Sequence, residues 1–184
     1  MKRIFFLIMF AALATSSFAR QPETGYRGFI EWANDLRSEP GFFKREMNYH
    51  TGVSTSHGYQ IKPWIFAGAG ISYEKSTQYS STILPVFLQC RTDLKFDKYT
   101  PFGDVRIGYS LTDGGGVYFS PSIGYRFNWG RKMGLNIGAG LSIKGYSYNI
   151  MEIYETPEGY ISIRPIGKSR SSLAFFSFRI GIDF

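Results

Sequence analysis

Apolar residues alternate with polar or small residues along most of the chain from residue 25 to the C-terminus. Successive side chains of an extended strand point to opposite faces, so this period of two predicts strands with one apolar and one polar face. Eight such segments are bounded by turn-forming residues. They are 25–37, 47–60, 64–74, 82–95, 100–111, 117–128, 134–148 and 172–184. We therefore predict an all-β protein built from an even number of strands.

The last segment shows the alternation most clearly. One of its faces carries large apolar side chains alone, namely Phe176, Phe178, Ile180, Ile182 and Phe184. The opposite face is small or charged. A terminal strand with such an apolar face favours lipid over water as its neighbour, and a closed barrel satisfies every backbone polar group in lipid. The fold class that we predict is an eight-stranded, antiparallel, up-and-down transmembrane β-barrel.

Charged residues in the strands fall on the face opposite the apolar rows. Those assigned to a lumen network are Arg27, Glu31, Arg91, Asp93, Asp104, Arg106, Arg126, Lys144, Arg179 and Asp183. A Lys or Arg on the lipid face at the bilayer midplane costs about 2–4 kcal/mol, so these side chains should point inward. Eight strands enclose a lumen just wide enough for side chains, and buried charges persist only when they are paired. We therefore expect an ion-pair network that plugs the lumen.

Glycines share the parity of the charged rows. They are Gly68, Gly70, Gly108, Gly124, Gly138, Gly140 and Gly181. We expect them to make room for long arginine side chains in a narrow interior. Pro121 lies in the middle of the sixth segment, where it removes a backbone donor, and it predicts a bulge or a distorted pairing.

The N-terminus has the three-part pattern of a secretory signal peptide. Lys2 and Arg3 precede an apolar run over 4–13, and Ser17 and Ala19 suit a cleavage site. The run is too short to span a bilayer, which needs about 20 residues. We predict a signal peptide over 1–19 and a barrel over 20–184.

Composition narrows the possible functions. The mean hydropathy is −0.15 although aromatic residues make up 18% of the chain, as expected when apolar and polar positions alternate. The net charge is +7, but the bases alternate with acids and form no cluster, so we expect no nucleic-acid partner. Cys90 is the single cysteine and cannot form an intrachain disulfide. The spacing of residues predicts no metal site and no cofactor.

The connections are expected to differ at the two ends of the barrel. Short turns are predicted at 61–63, 96–99 and 129–133, and external loops at 38–46, 75–81, 112–116 and 149–171. The 149–171 excursion is the longest, contains a turn at 155–159, and is expected to extend two strands as a hairpin that could contact an extracellular ligand. Aromatic girdles are expected near the strand ends, from Tyr26, Tyr49, Tyr59, Trp64, Tyr73 and Trp129.

Catalytic residues are not predicted. His50 and Ser54, with Asp35 or Glu31, are the candidates for a lipid A acyl hydrolase or transferase, but their parity directs them inward, away from lipid. His57 falls on the opposite row and suits an interface belt. Two further alternatives are a small-solute porin and a soluble barrel of lipocalin type, whose apolar rows would instead enclose a ligand.

The stretches STSHGYQIKPWIFAGAGI (54–71), PFGDVRIGYS (101–110) and GVYFSPSIGYRF (116–127), with the terminal phenylalanine, resemble the small outer-membrane β-barrel (porin-family) proteins of Gram-negative bacteria, with OmpA- and OmpX-type architecture. The apolar row ending at Phe184 resembles their C-terminal assembly signal. This resemblance implies export through the general secretory route, periplasmic chaperones and the barrel-assembly machinery as transient partners, and outer-membrane lipids and lipopolysaccharide as surroundings.

Overall fold

The computed structural model describes residues 24–39, 46–76, 82–94, 99–112, 115–129, 133–155 and 161–184. The predicted signal peptide lies outside these residues. The described residues form nine strands: β1 (Gly25–Glu39), β2 (Glu46–Lys62), β3 (Ile65–Ser76), β4 (Thr82–Ile83), β5 (Pro85–Asp93), β6 (Tyr99–Ser110), β7 (Gly116–Trp129), β8 (Met133–Glu155) and β9 (Ile161–Asp183). No helix in this part of the chain is long and apolar enough to cross a membrane.

The strands close into one antiparallel barrel. Neighbours in sequence pair with each other, and β1 also pairs with β9, from Phe29 opposite Asp183 to Leu36 opposite Phe176. Strands β4 and β5 both pair with β3 and together form the predicted fourth strand, interrupted at Leu84. The all-β, eight-stranded, up-and-down prediction is therefore confirmed.

The last two strands are longer than predicted. They run to Glu155 and from Ile161, instead of stopping at 148 and starting at 172. Beyond Lys144 and Phe176 they pair only with each other, as a two-stranded ribbon with one register shift beside Ile150. This confirms the predicted hairpin extension, while most of its 155–159 turn lies outside the described residues.

The two ends of the barrel differ less than expected. The start of β1 and the end of β9 lie at the barrel end where β2 leads to β3, β5 to β6 and β7 to β8. At the opposite end β1 leads to β2, β3 to β4, β6 to β7 and β8 to β9. The predicted long fourth loop is mostly paired strand. The contrast between the ends therefore comes from the projecting ribbon more than from irregular loops.

The outer face of the barrel is apolar. Ile123 is 74% exposed and Leu88 is 70% exposed, and both lie on rows predicted to face outward. Girdle candidates Tyr26, Tyr59 and Tyr73 are also exposed near strand ends. Tyr49 and Trp64 are exposed as well, and the side chain of Trp129 lies outside the description.

Pro121 interrupts the ladder between β7 and β8, as predicted. Pairs are present from Tyr118 to Phe119 and resume at Ser122, which lies opposite Gly140. Pro121 would face Leu141 in this register but has no N–H to donate to its carbonyl. The Ser120 hydroxyl donates to that carbonyl instead, at 2.8 Å. One side chain therefore replaces the missing backbone hydrogen bond.

We predict that Ser120→Ala destabilises the barrel by about 1–3 kcal/mol, because it leaves the Leu141 carbonyl without a donor and removes a hydroxyl that accepts from Arg179. Pro121→Val in the same chain restores a backbone N–H and should recover part of the loss. Urea unfolding in lipid vesicles, followed by tryptophan fluorescence, measures both effects. Equal stability of the single and double variants would show that the Leu141 carbonyl does not need this donor.

Candidate functional site

The interior of the barrel is the region of the described structure that combines the most charge with the least exposure. All ten residues of the predicted lumen network are buried there: Arg27, Glu31, Arg91, Asp93, Asp104, Arg106, Arg126, Lys144, Arg179 and Asp183. Nine of them lie in three tiers along the barrel axis, and Arg179 donates to the hydroxyls of Ser120 and Ser122. Each tier joins side chains from strands that are distant in sequence.

The lowest tier, beside the chain ends, is centred on Asp183 of β9. Arg126 contacts it with two nitrogens, at 2.9 Å and 2.6 Å, and Arg27 Nε lies at 3.0 Å. Asn136 Nδ2 donates to the same carboxylate at 2.7 Å. Paired N–H groups in one plane match both oxygens of a carboxylate, which gives the pair a defined geometry.

Asp93 extends this tier across the barrel to β5. Arg27 Nη1 lies at 2.7 Å from Asp93, and Arg91 Nε lies at 2.9 Å. Arg91 also donates to Asn136 Oδ1 at 2.7 Å. Arg27 and Arg91 therefore link the two carboxylates into one network.

The middle tier is centred on Arg106. Its guanidinium contacts Glu31 directly and lies at 3.4 Å from Asp104. Gln89 donates to Asp104. The three charged residues come from β1 and β6, which are not adjacent in the barrel, so this ion pair crosses the lumen.

The upper tier surrounds Lys144 of β8. Its Nζ lies at 2.6 Å from Asp35 and also contacts Glu74. Sequence reasoning missed Glu74, although it shares the inward parity of Gly68 and Gly70 and could have been found by that signal. With Glu74, the buried acids of the lumen match its cations more closely than the sequence suggested.

Aromatic rings fill the space between the tiers. Those buried inside are Phe29, Phe66, Phe87, Phe102, Tyr118 and Phe175. The Arg91 guanidinium lies 3.6 Å from the ring centre of Phe102 and 5.0 Å from that of Phe29. Arg106 lies 5.0 Å from the Phe87 ring centre. Cations on ring faces retain favourable electrostatics where water is excluded, so the rings support the ion pairs.

The expectation that glycines make room for arginines is wrong at several positions. A methyl group on Gly124 would lie 2.7 Å from Phe102 Cζ, and one on Gly70 would lie 2.7 Å from the Phe87 ring. A methyl group on Gly68 would likewise lie 2.6 Å from Phe66 Cζ. Strand parity identified these positions but did not reveal which side chain uses the space.

The two catalytic candidates have separate contacts. His50 is buried, with Nδ1 at 3.3 Å from Lys144 Nζ and its ring 4.7 Å from that of Phe175. Ser54 lies 3.4 Å from Arg106 Nη1. Both side chains face the lumen, in agreement with their predicted parity. The described residues contain no group of three or more potential metal ligands.

The C-terminal row faces outward. The ring of its last residue, Phe184, lies at the barrel seam, by which we mean the pairing of β1 with β9 that closes the barrel. Phe184 pairs with Gly28 of β1 through two backbone hydrogen bonds of 2.9 Å and 3.0 Å. A methyl group on Gly28 would lie 2.7 Å from the Phe184 ring, whose other neighbour is His57. The Tyr26 hydroxyl lies 2.5 Å from His57 Nδ1. His57 therefore lies on the outer surface at the end of the barrel where β1 begins and β9 ends.

Comparison with known proteins supports the architecture. No protein-family model matches the chain, and no curated protein matches it in sequence. Among solved structures, the chain is similar to the outer membrane protein OprG from Pseudomonas aeruginosa. The TM-score is 0.54 at 9% identity, covering 89% of this chain and 96% of OprG. At this identity the likeness shows the shared barrel fold.

We predict that Lys144→Met lowers stability by about 3–5 kcal/mol, because it leaves Asp35 and Glu74 buried without their cation. Protonation of these carboxylates relieves their repulsion, so the deficit should shrink as the pH falls. Urea midpoints of the folded, heat-modifiable form at several pH values measure the effect.

The matched control is Lys144→Met combined with Asp35→Asn and Glu74→Gln. It removes the charges together and should regain much of the stability at neutral pH. If Lys144→Met alone were as stable as the wild type at every pH, the ion pairs of the upper tier would not contribute to stability.

Proposed function

We propose that this chain is an integral protein of a bacterial outer membrane whose lumen is plugged by side chains, with a structural or surface-interaction role. The observation that carries the proposal is the polarity of the barrel, with apolar side chains outside and paired charges inside. A water-soluble barrel has the opposite need, since its outer face must be hydrated. The likeness in fold to OprG supports the same reading.

The packing of the interior supports a lumen without an open path. Arg91, Arg106 and Lys144 are almost fully buried, and each lies over the face of a buried aromatic ring. An open aqueous channel would hydrate its charged lining and would not need such close pairing. A small-solute porin is therefore the less favoured alternative.

The chain is further proposed to act without catalysis. A nucleophile needs a base within hydrogen-bond reach, whereas His50 and Ser54 lie four residues apart on β2, which is about 13 Å along an extended strand. Both residues also face the lumen, away from the position of a membrane lipid. This placement favours the non-enzymatic proposal over a lipid A acyl hydrolase or transferase.

Assembly and surface contacts complete the proposal. The outward row from Phe176 to Phe184 is proposed as the signal read by the barrel-assembly machinery, after periplasmic chaperones have held the exported chain. The ribbon formed by β8 and β9 is proposed as the surface that meets lipopolysaccharide or an extracellular ligand, because it projects beyond every other strand.

We predict that the refolded barrel shows no steady, large conductance in planar bilayers, because charged and aromatic side chains fill its lumen. Arg91→Ala combined with Phe102→Ala removes a stacked pair from the lower tier and should produce measurable openings. Ile123→Ala, which shortens a side chain on the outer face, is the matched control and should remain silent. A large steady current from the wild type would overturn the plugged lumen and favour a porin.

A second prediction concerns the membrane itself. A spin label on Ile137→Cys, in a Cys90→Ser chain, should be accessible to oxygen and shielded from a water-soluble nickel complex, because Ile137 lies on the apolar outer row. A label on Ser171→Cys in the exposed ribbon should show the reverse. Power-saturation measurements in lipid vesicles determine the accessibility of each label to oxygen and to the nickel complex. A label at position 137 that is accessible from water would contradict membrane insertion.

A further inference from the structure

The outward-facing side chains of β9 change from apolar to small and then to positively charged where the strand leaves the barrel. Within the barrel it holds Phe176 and Phe178, which face away from the lumen. Above them come Ala174 and Ser172, and then Arg170 and Lys168. The pairing with β8 is regular from 168 to 183, so all of these residues share one face. Both cations are exposed.

The register leaves the two cations without an acidic neighbour. Arg170 lies opposite Ser147, and Lys168 lies opposite Asn149. Neither cation forms an ion pair with any residue that the structure describes. The lumen shows the contrasting arrangement, in which cations such as Arg27 and Lys144 contact two carboxylates each. The positive charge of the ribbon is therefore available to an external anion.

The same face offers an apolar surface below the charges. Phe176 lies six residues from Arg170, which is about 20 Å along an extended strand. On β8 the neighbouring outward side chains are Leu141 and Ile143. Cations above an apolar wall complement an amphiphile that has anionic groups above acyl chains.

We propose that Lys168 and Arg170 bind the phosphate groups of lipopolysaccharide, with its acyl chains lying along the wall at Phe176 and Leu141. This inference rests on the proposed outer-membrane location and deepens it by naming a ligand and a binding surface. The ribbon projects from the barrel end opposite the start of β1 and the end of β9. Outer-membrane barrels carry their longer excursions on the extracellular side, which would place the cations at the outer leaflet. The rigid ladder holds the two cations about 7 Å apart along the strand.

The experiment uses the refolded mature chain in detergent micelles, with lipid A as the probe and native mass spectrometry to count bound lipid. Lys168→Gln combined with Arg170→Gln is the test variant. Lys62→Gln is the matched control, because Lys62 is an exposed cation at the opposite end of the barrel, where β2 ends. Migration of the unboiled protein on gels shows that each variant has folded.

We expect the double variant to bind lipid A about 25-fold more weakly, or about fivefold for each cation, which is the factor equivalent to about 1 kcal/mol per residue. Lys62→Gln should bind like the wild type. Lipid A stripped of its phosphates should bind the wild type and the double variant equally weakly. Added salt should weaken the binding of intact lipid A to the wild type.

Three results would overturn the inference. The double variant could bind lipid A as well as the wild type, or phosphate removal could leave wild-type binding unchanged. Phosphatidylglycerol or inorganic phosphate could also bind as tightly as lipid A, which would assign the cations to phosphate in general. None of these results affects the conductance or spin-label measurements, so a failure here is distinct from a failure of the proposed membrane role.

Discussion

The structure depends on the cost of placing charge inside a narrow barrel. An isolated ion transferred from water into a protein interior loses several kcal/mol of solvation, so each charge needs a partner. Asp183 shows how this need is met, because it lies in contact with Arg27 and Arg126 and accepts a hydrogen bond from Asn136. These partners come from β1 and β8, which flank β9 in the barrel, and from β7 beyond β8, so the contacts at Asp183 link four consecutive strands.

Size matching in the lumen complements charge matching. The rings of Phe102 and Phe87 occupy the space above glycines of adjacent strands, and they lie against guanidinium groups of the network. Close-packed interiors leave few voids, so a large ring on one strand requires a small residue on its neighbour. Aromatic residues therefore act in the lumen as well as in the outer girdles, where the sequence pattern had placed them.

A filled interior leaves the outer wall and the two ends for contact with other molecules. The wall suits lipid, the seam at Phe184 and Gly28 joins the first and last strands, and the ribbon extends charged residues beyond the barrel. Within the barrel wall, the Ser120 hydroxyl donates the hydrogen bond to the Leu141 carbonyl that Pro121 cannot donate. The proposed interactions of this protein accordingly lie on its outer wall and on the projecting ribbon, outside the packed lumen.

The sequence alone determined the alternation of faces, the number of strands and the inward direction of the ten charged residues, because parity depends only on neighbours in the chain. The tertiary structure decided which charges meet. Arg27 and Asp183 are 156 positions apart, and their contact depends on the pairing of β1 with β9 that closes the barrel. The same dependence explains why Glu74 was missed as a partner of Lys144, and why the rings above the glycines could be identified only once the strands were paired.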